Sequence, residues 1–462
     1  MGSLNRKWIF IAVTIVSFGV NYLATSLTIA LPVLGKDLLI PRNQLTWITG
    51  IFALTTAVSL VPFGKMADIY GKKKVFISGL VVWVIFCIMA ALCTNLGMML
   101  VTVAFGGLGT AMCYSTIAAI LTESFDQSER GRVLGGNLAV AYLGTSGGPF
   151  IGGIITQYLG WRAIFWTPLP TIVIALFLTL RFLPNTPSQQ RVNFDRKGTL
   201  FYVSGLALFI IGVSYLGKSW SIAMLVLAFF LVYIFTRLEH AADHPLIHLE
   251  VFKNRVFTLS NLASLIHFGT TYATSLLLSM YLQDQGIKAL SASIAGLILV
   301  AQPFTQIIFS PVAGRLSDRM EPRWLASSGM LVTALCLGAL SFVQIHTDLF
   351  SIIIILLIMG TGFSFFVAPN NNAIMGSLPA SQYGLASGVM ATCRILGMSL
   401  SLAATTMILN KSGTAVNSSQ GFMYGFQNCF ITFSLCALIG IAASLARGSQ
   451  KDSTVLEDKL HG

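Results

Sequence analysis

Fourteen apolar runs, each near the length a helix needs to cross a bilayer, dominate this chain and leave little else to build with. A helix rises about 1.5 Å per residue, so about 20 apolar residues span a hydrocarbon layer about 30 Å thick. The runs fall near 8–32, 44–64, 75–94, 97–122, 133–158, 163–184, 199–217, 219–237, 257–282, 290–313, 324–345, 349–375, 384–409 and 422–446. Only 10% of the residues are charged, against about a quarter in a soluble domain, so there is no water-facing shell to make. The pattern predicts an all-α membrane protein with 14 transmembrane helices. The first run, behind Arg6 and Lys7, is too long for a signal-peptide core and reads as a retained span.

Basic residues orient the spans. An even count puts both termini on one side, where loops, span ends and the tail hold twenty-one Lys and Arg against six opposite. A missed or invented span would scramble that split, so both termini are expected to be cytoplasmic in a plasma membrane. The net charge of +12 is spread through short loops rather than gathered on one face, which argues against nucleic acid. Trp47, Trp161, Trp166 and Trp220 near one interface and Trp8 and Trp324 near the other read as aromatic anchors. All seven cysteines lie in apolar runs without a CxxC pair or a His set, so no metal, disulfide or cofactor is expected.

The chain also repeats itself. Gly64-Lys-Met-Ala-Asp68 after the second run and Gly314-Arg-Leu-Ser-Asp318 after the tenth share one pattern, 250 residues apart. Arg130-Gly131 and Gly135 are echoed by Tyr383-Gly384 and Gly388, 253 residues apart. Two echoes at nearly one offset imply two six-helix halves, 1–185 and 251–446, with two helices and linkers inserted over 186–250 and a tail over 447–462. A transport pathway would lie between the halves.

With these motifs on the page, the chain resembles the major facilitator superfamily. Within it, the likeness is to the fourteen-spanning drug:proton antiporters, the quaternary-ammonium and tetracycline exporters. Gly64, Asp68, Gly71, Lys72 and Lys73 match the signature loop between spans two and three. Gly144, Gly148, Pro149, Gly152 and Gly153 match the antiporter signature of span five. His244-Pro-Leu-Ile and Leu282-Gln283 are also similar to that group. The resemblance implies a rocker-switch, alternating-access exporter acting on a small-molecule substrate and protons, without catalytic residues, and expected to be a monomer. Separately, an Asp68 carboxylate facing the helix start near Gly384 would be favoured by the helix dipole and would hold an inner gate shut. Asp318 holds the equivalent place in the second repeat. The span-five glycines lie on one stripe that permits close helix approach, with Pro149 loosening the backbone.

The chain departs from the antiporter pattern where charge is expected. Leu23 stands where the group carries an acid before Ala30-Leu31-Pro32, and Val103 stands at the span-four arginine position. Of sixteen acids only Glu123 touches a span, and none is at mid-depth, where transport acids usually sit. The polar residues left at depth are Asn21, His267, Gln302 and Arg394. His267 could titrate near neutral pH. Arg394 should face a cavity, backbone carbonyls or an anionic substrate. Asn370-Asn371-Asn372 read as helix-end caps first and cavity lining second.

Three functions compete: an exporter of amphipathic compounds with coupling moved to His267 or Glu123; a facilitator or non-proton antiporter for a neutral or anionic solute; and a membrane enzyme or sensor. The last has no His cluster, Ser/Lys pair or Asp-rich motif at active-site spacing, and no soluble domain, to carry it.

Overall fold

The computed structural model describes residues 3–40, 42–184, 194–215, 219–241, 245–247, 249–284, 286–290, 292–411 and 419–448. His244, most of the 186–195 linker and the tail beyond Gly448 lie outside them. All regular structure among these residues is helical, because hydrocarbon offers a backbone amide no partner outside its own helix.

Two compact units emerge: Met1–Val203 with Arg237–His248 and Leu378–Thr392, and Ser204–Thr236 with Leu249–Ser377 and Cys393–Gly462. In chain order, α1 (Ser3–Asp37), α2 (Arg42–Tyr70), α3 (Lys72–Ala91) and α4 (Leu96–Ser124) come first. Next are α5 (Arg130–Leu159), the short α6 (Ala163–Trp166) and α7 (Leu169–Phe182). The inserted segment supplies α8 (Arg196–Ser214) and α9 (Ser219–Ala241). Then follow α10 (Arg255–Thr271), α11 (Thr274–Gln283), α12 (Ala292–Leu299), α13 (Ala301–Arg319), α14 (Pro322–Leu340) and α15 (Leu349–Gly376). Last are α16 (Tyr383–Lys411), which begins in the first unit and continues in the second, and α17 (Ser419–Ala446).

Thirteen helical segments among the described residues are long and apolar enough to cross a membrane. The exception is the run expected at 257–282, which is split into α10 and α11, 17 and 10 residues long. The split has a polar cause. Thr270 and Thr271 both turn their hydroxyls back to the His267 carbonyl, at 3.0 and 2.7 Å, a pattern that bends helices. The Ala273 amide, which an unbroken helix would use internally, donates to Ser401 Oγ at 3.1 Å.

The internal repeat reaches down to single contacts. In the first unit a Cβ on Gly107 would strike Thr55 Oγ1 and the Phe52 carbonyl; in the second, a Cβ on Gly360 would strike Thr305 Oγ1 and the Gln302 carbonyl. The glycines are 253 residues apart and their partners 250. Gly79 against Gly109 and Gly329 against Gly362 repeat in the same way. Gly144 packs on the Phe18 carbonyl and Tyr22 amide, and Gly397 on the Leu265 carbonyl and Gly269 amide. Ser401 then stands where the first repeat has Gly148. A glycine admits the neighbouring helix intact, whereas the serine hydroxyl takes an amide from it.

Outward faces carry large apolar side chains, including Phe177, Phe230 and Leu297, each more than half exposed, as a lipid-facing surface allows. Trp161 departs from the anchor expectation: it is buried, its Nε1 donates to Asp37 Oδ2 at 2.9 Å, and the Arg162 guanidinium lies 4.3 Å over its ring. Those two donors, Trp161 first, hold the Asp37 carboxyl below its usual range.

The span-five stripe makes a graded test. Gly148 meets Thr25 Oγ1 and Gly152 meets Ser26, whereas a Cβ on Gly153 would find only Ile29 Cγ2 at 3.9 Å. Gly148→Ala should destabilise the purified protein by about 1–3 kcal/mol, the usual cost of overpacking. Gly153→Ala should leave thermal unfolding unchanged, and equal shifts for the two would contradict this packing.

Candidate functional site

The signature segment between α2 and α3 is barely a loop. Helix α2 runs through Asp68 to Tyr70, and Gly71 alone turns the chain, with φ 101, before α3 starts at Lys72. Only glycine adopts that conformation without strain. Asp68 therefore projects from a helix end. Its Oδ1 accepts the Gly384 amide and its Oδ2 the Leu385 amide, both at 2.8 Å.

These are two of the four amides that the start of α16 leaves without helical partners. Each such bond to a charged acceptor is worth about 1.5–3 kcal/mol net, and the dipole adds about 0.3–1 kcal/mol. Gly64 makes the approach possible, since a Cβ there would strike the Gly384 carbonyl. The expected contact is thus present, inside the first unit, joining residues from both sequence repeats.

The lysines beside it are fixed rather than solvated. Lys72 is buried, pairs with Glu123 Oε2 at 2.9 Å and donates to the Ala380 carbonyl at 3.1 Å. Lys73 donates to the Leu180 and Leu183 carbonyls at 3.1 and 2.6 Å, closing the end of α7. Lys72 and Arg130 both lie 5.7 Å from the Tyr383 ring centre. Glu123 is consequently one member of a packed charge cluster around the start of α16. Asp318 on α13, the repeat's counterpart of Asp68, takes a 3.5 Å contact from Asn372 Nδ2.

Asn21 belongs to a polar seam between α1 and α5. Its Nδ2 donates to the Ser17 carbonyl at 2.7 Å and its Oδ1 accepts Thr145 Oγ1 at 3.4 Å. Ser17 Oγ in turn reaches Asn137 Oδ1 at 2.7 Å, and Ser26 Oγ the Gly148 carbonyl at 3.0 Å. Asn137 was not singled out from the sequence, because an amide in an apolar run shows no partner there. Leu23 and Val103, at the missing-charge positions, are both fully buried apolar packing.

In the second unit, His267 is fully buried on α10 and stacks on Phe366 at 4.1 Å and Phe363 at 4.8 Å between ring centres. No group among the described residues accepts a hydrogen bond from either ring nitrogen. Gln302 is buried on α13, its carbonyl taking the Thr305 hydroxyl at 2.9 Å. Arg394 is half-buried, with its guanidinium 4.9 Å over the Phe268 ring. It makes no ion pair or hydrogen bond with a described residue.

Two polar residues act where the sequence placed them otherwise. Asn370 and Asn372 lie inside α15 rather than capping its end: Asn370 Nδ2 donates to the Ser260 carbonyl at 3.1 Å and Asn372 Nδ2 to Ser317 Oγ at 3.0 Å. Arg447, read as tail, is buried and donates to Asn370 Oδ1 at 2.9 Å and Ser260 Oγ at 3.0 Å. Burial lowers its guanidinium to about 10, with Glu321 opposing, so it stays charged at neutral pH. Glu239, expected in a loop, is buried at the end of α9 and accepts the Leu246 and Ile247 amides at 3.2 and 3.0 Å. The Pro-Leu-Ile segment is therefore folded onto a carboxylate, with Lys65 close enough to be felt electrostatically.

Comparison with known proteins gives a consistent family signal. The profile of the Major Facilitator Superfamily matches residues 9–260 and 259–459. The riboflavin transporter RibZ of Clostridioides difficile (strain 630) is 27% identical over 442 residues, covering 93% of this chain and 96% of that protein. The multidrug resistance protein Stp of Mycobacterium tuberculosis (strain CDC 1551 / Oshkosh) is 26% identical over 392 residues, 84% and 72% of the two chains. Among solved structures, the human organic anion transporter MFSD10 superposes with a TM-score of 0.67 at 14% identity, covering 96% and 100%. That likeness is one of fold.

Two substitutions test this geometry. Asp68→Asn keeps one acceptor but loses the charge, a difference of about 1.4 kcal/mol or tenfold in the closed-state equilibrium. Transport in proteoliposomes should fall about tenfold at unchanged folded yield, and wild-type flux would show that the Asp68 contact does not govern transport. His267→Phe should leave the pH profile of transport unaltered, because the ring is held by stacking alone; loss of proton-driven accumulation would instead make His267 the proton carrier.

Proposed function

Since the chain belongs to the Major Facilitator Superfamily, we propose that it is a secondary active exporter of amphipathic organic compounds, working by alternating access. In this reading α10 and α11 together form one broken span, completing fourteen. The spans divide into halves over 1–185 and 251–446 around an inserted pair, with both termini cytoplasmic in a plasma membrane. Arg447, the first residue of the 447–462 tail, is itself packed.

The observation that carries the reading is the double amide bond from Asp68 to the start of α16. It ties the end of one repeat's second helix to the other repeat's fifth. Opening the transporter inward would break it, so its strength sets how readily the gate cycles. Gly64 and Gly71 allow the approach, Lys72 and Lys73 hold the surrounding helix ends, and Asp318 serves the same end of the second repeat. The stripe of Gly144, Gly148 and Gly152 beside Pro149 acts as the tightly packed bend about which α5 moves, with Gly153 at its edge.

Export of amphipathic compounds is supported by likeness to a multidrug resistance protein over 84% of this chain. A second reading, a facilitator or non-proton antiporter for a neutral or anionic solute, is supported by the similarity to a riboflavin transporter and by the absence of any mid-span carboxylate. The acids nearest the membrane are Asp68, Glu123, Glu239 and Asp318, all at helix ends. Proton coupling, where it operates, would run through those ends.

Counterflow in proteoliposomes, with and without an imposed pH gradient, decides between the readings. The exporter reading expects uphill movement of an amphipathic dye that collapses when the gradient is removed. Exchange indifferent to pH would favour the second reading, and no flux of any amphipathic probe would overturn both.

A further inference from the structure

We propose that Arg394 and the Phe268 face beneath it form a substrate subsite for planar aromatic compounds carrying an anionic group. This deepens the transporter reading and rests on it. Arg394 lies eleven residues into α16, about 17 Å along the helix axis at 1.5 Å per residue, where an unpaired guanidinium is costly unless it faces a cavity or a counter-charge. No described residue gives it a hydrogen bond or an ion pair, the Tyr272 phenol lies within electrostatic reach without bonding it, and the spans hold no acid at that depth. The guanidinium instead lies 4.9 Å over Phe268, leaving N–H groups free for the bidentate grip that arginine offers a carboxylate, sulfonate or phosphate.

The repeat shows that packing does not require an arginine here. Gly144 seats α5 on the Phe18 carbonyl and Tyr22 amide just as Gly397 seats α16 on the Leu265 carbonyl and Gly269 amide. In the first repeat the position of Arg394 is held by Ala141 and that of Phe268 by Asn21. The same helix contact is therefore made without either group. A purely structural arginine would be expected in a contact that needs one, and this contact does not.

Two further features build the site. Phe268 meets Phe363 edge-on at 5.5 Å, and both meet His267, so the guanidinium rests on a buried aromatic cluster that fixes one of its faces and leaves the other open. One turn further along α10, the ladder is interrupted where Ala273 donates to Ser401. Irregular backbone at membrane depth is tolerated where it is buried in protein or lines a cavity, and broken helices are where transporters place their ligands. The substrate would set its anion on the Arg394 N–H groups and its ring system against the open face of the guanidinium, which Phe268 supports from beneath.

The test uses two dyes that share a xanthene ring and differ in charge: fluorescein, an anion, and rhodamine 123, a cation. Binding to the purified full-length protein in detergent is read by fluorescence polarisation. The wild type should hold fluorescein at least about tenfold more tightly than rhodamine 123, a comparison that needs no variant to fold. Arg394→Gln should weaken fluorescein about tenfold and narrow the gap between the dyes, Arg394→Lys should recover part of it, and Phe268→Leu, which loosens the guanidinium, should weaken fluorescein more than rhodamine 123. Equal or stronger binding of the cation by the wild type, no fluorescein binding, or fluorescein affinity within twofold in a folded Arg394→Gln would each overturn the subsite. Efflux of the same dyes from proteoliposomes separates the two levels: efflux without charge preference removes the subsite and leaves the exporter, while charge-selective binding without efflux keeps the subsite and removes the exporter.

Discussion

Hydrocarbon cannot hydrogen-bond a peptide group, and most of what distinguishes this structure follows from that. A backbone amide or carbonyl left open at membrane depth costs several kcal/mol, so each interruption of a helix must bring its own partner. The break between α10 and α11 meets this demand with side chains: two threonine hydroxyls on one carbonyl and a serine hydroxyl on the freed amide. At the start of α16 the partner is a carboxylate from another helix. In both places a partner that is not the helix itself can be released, which is what a moving transporter needs and a static bundle does not.

Close backbone approach is the second constraint, and it explains why glycine does so much of the packing. Where α5 meets α1, and α4 meets α2, a single added Cβ would collide with a carbonyl or a threonine hydroxyl. The duplication preserved these contacts in both units while letting the chemistry around them drift. Ser401 for Gly148, Phe268 for Asn21 and Arg394 for Ala141 turn a tight, uncharged crossing into one with a broken helix, an aromatic ring and a charge. Divergence within a conserved contact separates what holds the helices together from what acts on a ligand.

Most spans were legible in the sequence because run length and loop charge are local signals. Asp68 was legible because its motif recurs. What escaped depends on partners far along the chain. The fracture at Tyr272–Ala273 needs Ser401, 128 residues away, and no proline or glycine stands there to announce it. Asn370 reads as a cap beside Pro369 until Ser260 and Arg447 are seen around it. Arg447 and Glu239 follow apolar runs and look solvated, yet each folds back onto polar groups that a linear reading cannot bring near. Gly71 is the opposite case: its place in the motif was visible, but the loop around it contracts to one residue because α2 continues past the polar residues to Tyr70.

The charge distribution that results bears directly on energy coupling. A mid-span carboxylate carries a proton only if its cost of ionisation changes as the site is exposed to either side. Here the two positions at which the resemblance to drug:proton antiporters leads one to expect charge are filled by Leu23 and Val103, both fully buried, so no space remains there for a hydrated acid or its counter-ion. His267 has the depth but is enclosed by phenylalanine rings that offer a proton no acceptor. The groups able to change their surroundings during a cycle are those at helix ends, where Asp68 would lose two amides and Lys72 is shared between Glu123 and the Ala380 carbonyl. Any proton that drives this transporter would therefore act on the gate itself rather than compete with substrate in a central cavity, leaving Arg394 free to select the substrate by charge.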